Sequence, residues 1–132
     1  MQDVTNCIAN WSTYKKFELN QIKSKEIVIN FQRNKPVFSP IKINGIKVER
    51  VEKATILGLL ITQDMKWNAH ADKITTRAAK RLYLIKQLKR SGLSDNDLKC
   101  FYIASVRSIL EYACQVFHYG LPEYLSDQIE LI

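Results

Sequence analysis

The stretch Lys73-Ile74-Thr75-Thr76-Arg77-Ala78-Ala79-Lys80-Arg81-Leu82-Tyr83-Leu84-Ile85-Lys86-Gln87-Leu88-Lys89-Arg90 decides how the second half of the chain is built. At the helical period Ile74, Ala78, Leu82, Ile85 and Leu88 fall on one face, the spacing of an amphipathic helix. Steps of three and four set Lys73, Arg77, Lys80 and Arg81 on an arc beside that face. Lys86, Lys89 and Arg90 extend the charge, and no Asp or Glu occurs between Asp72 and Asp95. Like charges at these spacings repel, so packing or an anionic partner has to offset them. Two readings are open: a solvated cationic face, or a surface that follows a phosphate backbone.

This helix is expected from about His70 to Ser91, with Gly92 as its C-terminal cap. Leu93 and Ser94 open the next one, Ser94 with Asp97 forming an acidic variant of the capping box and Leu93 with Leu98 a staple. The spacing predicts a helix over Asp95–Phe117 that turns Leu98, Tyr102, Ser105, Ile109, Ala113 and Val116 to one side. His118-Tyr119-Gly120-Leu121-Pro122 ends it, and Glu123–Ile132 reads as the first turns of another.

Upstream, Gln2–Lys16 reads as a helix with Val4, Ile8, Trp11 and Tyr14 or Lys15 near one face, capped by Asp3 or Thr5. Glu26–Phe31 has the apolar run of a buried strand, and the prolines of Gln32–Pro40, within Asn34-Lys35-Pro36 and Ser39-Pro40, make that segment a loop. Ile41–Ile43 and Ile46–Val51 alternate around Asn44-Gly45, the strongest short hairpin signal. Thr55–Thr62 is a further strand interrupted by Gly58. The expected class is α+β: an N-terminal helix, a small antiparallel hairpin and strand region, then a bundle of two long helices and the start of a third. The division falls at 1–67 and 68–132.

A chain of 132 residues suits one modest core, and its net charge of +7 favours acidic partners such as RNA or DNA. The basic pI near 9.4 points the same way. Three cysteines without CxxC spacing, Cys7, Cys100 and Cys114, signal neither a disulfide framework nor a zinc site. No apolar run reaches the about 18 residues of a membrane span and Met1–Asn10 lacks signal-peptide regions, so an intracellular chain off the membrane, cytoplasmic or nuclear, is expected.

Motifs for chemistry are sparse. The four glycines form no phosphate-cradling loop, and His70 and His118 lack acidic neighbours for a metal site. Ser105, His118 and Asp127 do not have the spacing of a nucleophilic triad, and no DD or DxD pair is present to hold magnesium. Trp11, Trp67, Tyr102 and Tyr112 are read as core residues, and Arg107 as the partner of Glu111 four residues on.

Five segments in order resemble the reverse transcriptases of non-LTR (LINE-like, jockey-type) retrotransposons. Trp11 with Phe17–Phe31, including Leu19-Asn20-Gln21-Ile22-Lys23-Ser24-Lys25, is similar to their "LNxxK" segment. Ile43-Asn44-Gly45 with Val51 resembles the "INGxxVERV" hairpin, and Ile56-Leu57-Gly58-Leu59-Leu60-Ile61 the "xLGVxI" strand. Trp67-Asn68-Ala69-His70 resembles "WxxH". Phe101–Ala113 is similar to "LYxSLVRPxLEYA", with Ser108 where proline is common and, beyond it, Phe117 where tryptophan is common.

The resemblance implies the end of a polymerase palm (1–67) running into a thumb (68–132), a fragment lacking the fingers and the metal-binding "xDD" turn. Magnesium would serve the full-length parent, and no cofactor is expected in this chain. By the same resemblance Lys23 is a candidate general acid towards a pyrophosphate leaving group, and Leu57-Gly58 a turn lying against the primer end. Lys73, Arg77, Lys80, Arg81, Lys86, Lys89 and Arg90 would track the template–primer duplex, an RNA–DNA hybrid, through its phosphates. The chain alone is expected to be inactive as a polymerase. Two alternatives stand beside this: a self-sufficient basic nucleic-acid-binding module, and a basic helix like the N-terminal segment of AlkB-type dioxygenase and tRNA methyltransferase chains. The last lacks the HxD…H iron site and the glycine-rich methyl-donor loop such enzymes need.

Overall fold

The computed structural model describes residues 1–34 and 36–132, so Lys35 of the expected 32–40 loop lies outside the described residues. The class is α+β. In order the elements are α1 (Gln2–Tyr14), β1 (Lys25–Glu26), β2 (Lys42–Ile43), β3 (Ile46–Lys47), β4 (Glu49–Arg50), β5 (Lys53–Ile56), β6 (Leu59–Thr62) and α2 (Asn68–Arg90). They continue with α3 (Asp95–Tyr102), a π-helical segment Ile103–Arg107, α4 (Ser108–Glu111), α5 (Cys114–Phe117), a 3-10 turn His118–Gly120 and α6 (Glu123–Glu130). Two compact units emerge: Met1–Ile56 with Ile61–Met65, and Leu57–Leu60 with Lys66–Ile132. Unlike a single cut at residue 67, this grouping puts the four residues Leu57–Leu60 with the helices.

In the first unit α1 starts at residue 2 with Met1 as its N-cap and no side-chain cap, so neither Asp3 nor Thr5 fills that place. Thr5 instead sends its hydroxyl back to the Met1 carbonyl at 3.2 Å. The helix stops because Lys16 turns left-handed, φ +58°, allowing Phe17 N–H to reach Ser12 O and Lys16 N–H to reach Thr13 O. That is the Schellman arrangement, built on lysine where glycine is usual. The apolar residues of α1 are not covered within the unit: Val4, Ile8, Trp11 and Tyr14 are exposed and only Ser12 is buried. Trp11 is therefore not a core residue, and its ring contact is with Phe17 at 6.2 Å.

The strand expected over 26–31 shrinks to Lys25–Glu26. It pairs in parallel with β4, Lys25 opposite Glu49 and Glu26 opposite Arg50, so this part of the sheet region is not antiparallel. Glu26 is the reason the pair holds. Its nearly buried carboxylate takes Arg50 on both oxygens, from Nη2 at 3.1 Å and Nε at 3.2 Å. Such a planar fork is the strong form of an ion pair. Ile27, Val28 and Ile29 line an open groove of about 890 Å³ instead of continuing the ladder. β2 and β3 form the expected hairpin, with Asn44 at φ +49° and Gly45 at φ +81° as a primed two-residue turn requires. Ile43 and Val48 are buried and Ile46 faces out.

The second unit is organised on α2. Its face buries His70, Ala71, Ile74, Thr75 and Ala78, with Leu82, Ile85 and Leu88 half-buried further along. Leu59, Ile74 and Phe117 form the centre, packed by Trp67, Ile109, Leu110, Ala113, Cys114, Leu121 and Ile129. Two alanines seven residues apart, each at most 1% exposed, keep this face low enough for the other helices to lie close. α2 ends as expected at Gly92, φ +89°, with Leu93 N–H on Leu88 O and Gly92 N–H on Lys89 O. Ser94 caps α3, accepting from Asp97 N–H.

The single helix expected over 95–117 is broken twice. Through Ile103–Arg107 the backbone widens to a π turn, while Ser105 and Ser108 hydroxyls bond back to the carbonyls of Phe101 and Ala104. Hydroxyl bonds of this type loosen a helix locally, and one extra residue per turn resets the buried face. Val106 becomes fully buried, whereas Val116, expected inside, is exposed. The second break follows Glu111: Tyr112 leaves helical ψ at 120° and Ala113 takes φ +54°. Tyr112 is thus not a core residue but 55% exposed.

Candidate nucleic-acid interface

The cations of α2 stand clear of their own fold. Arg77, Lys80, Arg81, Lys86, Lys89 and Arg90 are exposed, and among the described residues none of these six forms an ion pair with a carboxylate. Ion pairs lie elsewhere among the described residues, for example at Lys25–Glu49, Glu26–Arg50 and Arg107–Glu111. Lys73 is half-buried, and its charge acts on His70. Asp72, the acidic residue nearest the arc in sequence, accepts from Gln128 Nε2 at 3.1 Å. Lys89 and Arg90 sit in the last turn, where the helix dipole favours them. Arg77, Lys80 and Arg81 have no such compensation, so the repulsion among them is left for solvent or an anion to screen.

The second feature is the turn Leu57-Gly58, at φ +46° and φ +87°. Glycine suits such a position; a leucine there carries strain of roughly 1–2 kcal/mol. Leu57 is also 85% exposed, so packing does not hold it. Two bonds to the helical part of its own unit do. Tyr112 Oη donates to Leu57 O at 2.9 Å, and Leu60 N–H donates to His70 Nδ1 at 3.2 Å. At Gly58 a Cβ would come within 2.9 Å of the Tyr112 ring, so glycine is needed for the close approach as well as for φ.

His70 is 2% exposed and edge-on to Phe117 (5.0 Å) and Trp67 (6.0 Å). Because Nδ1 accepts from Leu60, the neutral ring carries its proton on Nε2, which is buried without a hydrogen-bond partner among the described residues. Burial, then the nearby Lys73, holds its pKa below the ordinary value of 6.5. In the sequence His70 figures only as a histidine without acidic neighbours and as part of the Trp67–His70 segment, and Tyr112 as a core residue, so neither was expected to hold the Leu57-Gly58 turn. The one local signal was Gly58, whose need for space implied a close neighbour without naming it.

Lys23 lies in the first unit, exposed, on a turn organised by Asn20, whose Oδ1 accepts from Lys23 N–H at 3.0 Å. The remaining expected site residues, Leu57, Gly58 and the α2 cations, belong to the second unit. Arg107 pairs with Glu111 at 2.6 Å, as its spacing suggested, and this pairing holds its pKa above the ordinary value. Among the described residues no three His, Cys, Asp or Glu side chains gather as a metal site. No helix is long and apolar enough to cross a membrane, among the residues described. Cys7 and Cys100 are exposed thiols and Cys114 is half-buried. No family model, curated protein or solved structure matches this chain.

Proposed function

We propose that the chain binds the backbone of a nucleic-acid duplex, as the palm-to-thumb part of an RNA-directed DNA polymerase of a non-LTR mobile element, and does not polymerise by itself. The observation that carries this reading is the set of exposed, carboxylate-free cations Arg77, Lys80 and Arg81 on one arc of α2, continued by Lys86, Lys89 and Arg90. Each cation that meets a phosphate releases a condensed counterion, so binding is driven by charge and depends steeply on salt. Contacts of this kind position a duplex without reading its sequence. The Leu57-Gly58 tip is exposed and belongs to the same unit; in this reading it is the part that would lie against the primer strand.

Magnesium, which the resemblance implies for a complete polymerase, finds no donor cluster among the described residues. Lys23 would serve that reaction only in a complete enzyme. The test of the binding role is affinity for a short RNA–DNA hybrid, comparing the wild type with the triple variant Arg77→Glu, Lys80→Glu, Arg81→Glu. Loss of about tenfold or more with an unchanged circular dichroism spectrum supports the role; equal affinity returns the arc to a solvated face. Primer extension by the pure chain would contradict the absence of polymerase activity.

A further inference from the structure

The backbone-binding reading leaves Tyr112 unexplained. It is more than half exposed, so burial does not account for it. Reaching its position requires α4 to end at Glu111 and Ala113 to adopt a left-handed conformation that alanine disfavours. The outcome of that break is one contact: hydroxyl to Leu57 carbonyl at 2.9 Å, with the ring laid against Gly58. At the other end Leu57 is itself left-handed and exposed. Two strained residues are thus joined through one tyrosine at an exposed tip, and strain of this kind persists only where its surroundings enforce it.

We propose that Tyr112 is a positioning residue, holding the Leu57-Gly58 turn in the shape in which it meets the end of a bound duplex. The proposal rests on the backbone-binding reading and adds a residue to it. Tyr112 does two things there. Its hydroxyl takes up the Leu57 carbonyl, which fixes the direction of the peptide between Leu57 and Gly58. Its ring fills the space beside Gly58, so the tip is buttressed on that side and open on the other. The second anchor, Leu60 N–H on His70, ties the same segment to the first turns of α2, and hence to the helix that carries the cationic arc. A duplex following the arc by its phosphates needs a fixed tip if its end is to be registered; a mobile turn would bind the backbone equally well but would not distinguish an end.

The experiment compares two RNA–DNA hybrids of equal length, one with an open end and one closed by hairpin loops at both ends. The wild type is expected to prefer the open form. Tyr112→Phe keeps the ring and deletes the hydroxyl. It should reduce that preference by about fivefold, the scale of one neutral hydrogen bond, while leaving affinity for the closed hybrid unchanged. Amide exchange at Leu57, Gly58 and Leu59 should quicken in the variant, which shows directly that the latch is gone. Tyr112→Leu removes the ring as well and should abolish the preference. An unchanged open-to-closed ratio in Tyr112→Phe with faster tip exchange overturns the proposal, as does an equal loss on both hybrids, which would make Tyr112 merely structural. No preference in the wild type also overturns it. The charge-reversal triple on α2 separates the two readings: if that triple loses affinity while Tyr112→Phe changes nothing, only the positioning role fails. If the triple binds as the wild type does, the backbone reading itself is lost.

Discussion

The carboxamide of Gln2 brackets the backbone of Lys42: Nε2 donates to the Lys42 carbonyl at 2.8 Å and Oε1 accepts from its N–H at 3.0 Å. Lys42 lies on β2, whose ladder to β3 leaves these two groups facing away from the hairpin. A side-chain amide occupies the place of a neighbouring strand, closing an edge that would otherwise be open to pairing. The same Nε2 also reaches Asn6 Oδ1 at 2.9 Å, which fixes the amide's orientation.

Gln2→Ala is accordingly expected to destabilise the first unit by about 1 kcal/mol, the net worth of exposed hydrogen bonds of this kind. Urea unfolding gives the energy and amide exchange at Lys42 gives the site. Gln2→Glu keeps the acceptor and should protect the Lys42 amide, but it sets a carboxylate oxygen against the Lys42 carbonyl and should cost no less than the alanine variant. An unaltered Lys42 exchange rate in Gln2→Ala would contradict the bracketing.

His70 makes the second unit sensitive to acid. Its folded pKa lies below the ordinary 6.5, so below about that pH the unfolded chain binds a proton that the folded chain resists. Stability is therefore fully present above 6.5 and falls as pH drops from there towards the folded pKa. Protonation would place a donor on Nδ1 opposite the Leu60 N–H, breaking the bond that anchors β6. Denaturation midpoints measured from pH 7.5 to 5 should decline, and His70→Leu should decline less while starting lower, because Leu60 N–H then lacks its acceptor. A wild-type midpoint that is flat over that range would remove the effect.

Lys16 and Ala113 occupy left-handed backbone at φ +58° and φ +54°. Lys16→Gly should raise stability, by up to about 1 kcal/mol after the entropy glycine adds to the unfolded chain. Ala113→Gly gains the same relief but loses a methyl packed against the core, and should change stability little. Gly92→Ala, at φ +89° with open space around it, should cost about 1 kcal/mol. Gly58→Ala should cost more, since its Cβ would strike the Tyr112 ring. Thermal midpoints order the four variants, and equal effects at positions 58 and 92 would mean the Tyr112 contact does not constrain Gly58.

These residues also mark how far the fold was legible. Asn44-Gly45, Gly92 and Ser94 carry local signals whose chemistry dictates geometry, and each turn or cap stands where its residues put it. The arc of α2 was equally plain, because charge and period are both written in consecutive residues. The stop after α1 falls within two residues of the expected Lys16, but its mechanism was not legible, since lysine takes the left-handed place that glycine advertises. The π turn at Ile103–Arg107 was hidden because the apolar pattern there is dense enough to fit more than one register. Glu26–Phe31 misled for a different reason: its apolar run is suited to a strand, yet only Lys25 and Glu26 find a partner backbone in β4. Tyr112 was illegible because its role depends on a turn more than fifty residues earlier in the chain.

The salt dependence of binding to a short RNA–DNA hybrid tests the central claim most directly. Fluorescence anisotropy from about 50 to about 200 mM salt should give a logarithm of the binding constant that falls linearly, with a slope near −4 if about four or five phosphates are neutralised. In the variant Arg77→Glu, Lys80→Glu, Arg81→Glu the slope should shrink by about three contacts' worth. A wild-type slope near zero, or the same slope in both proteins, would contradict a phosphate-tracking role for α2.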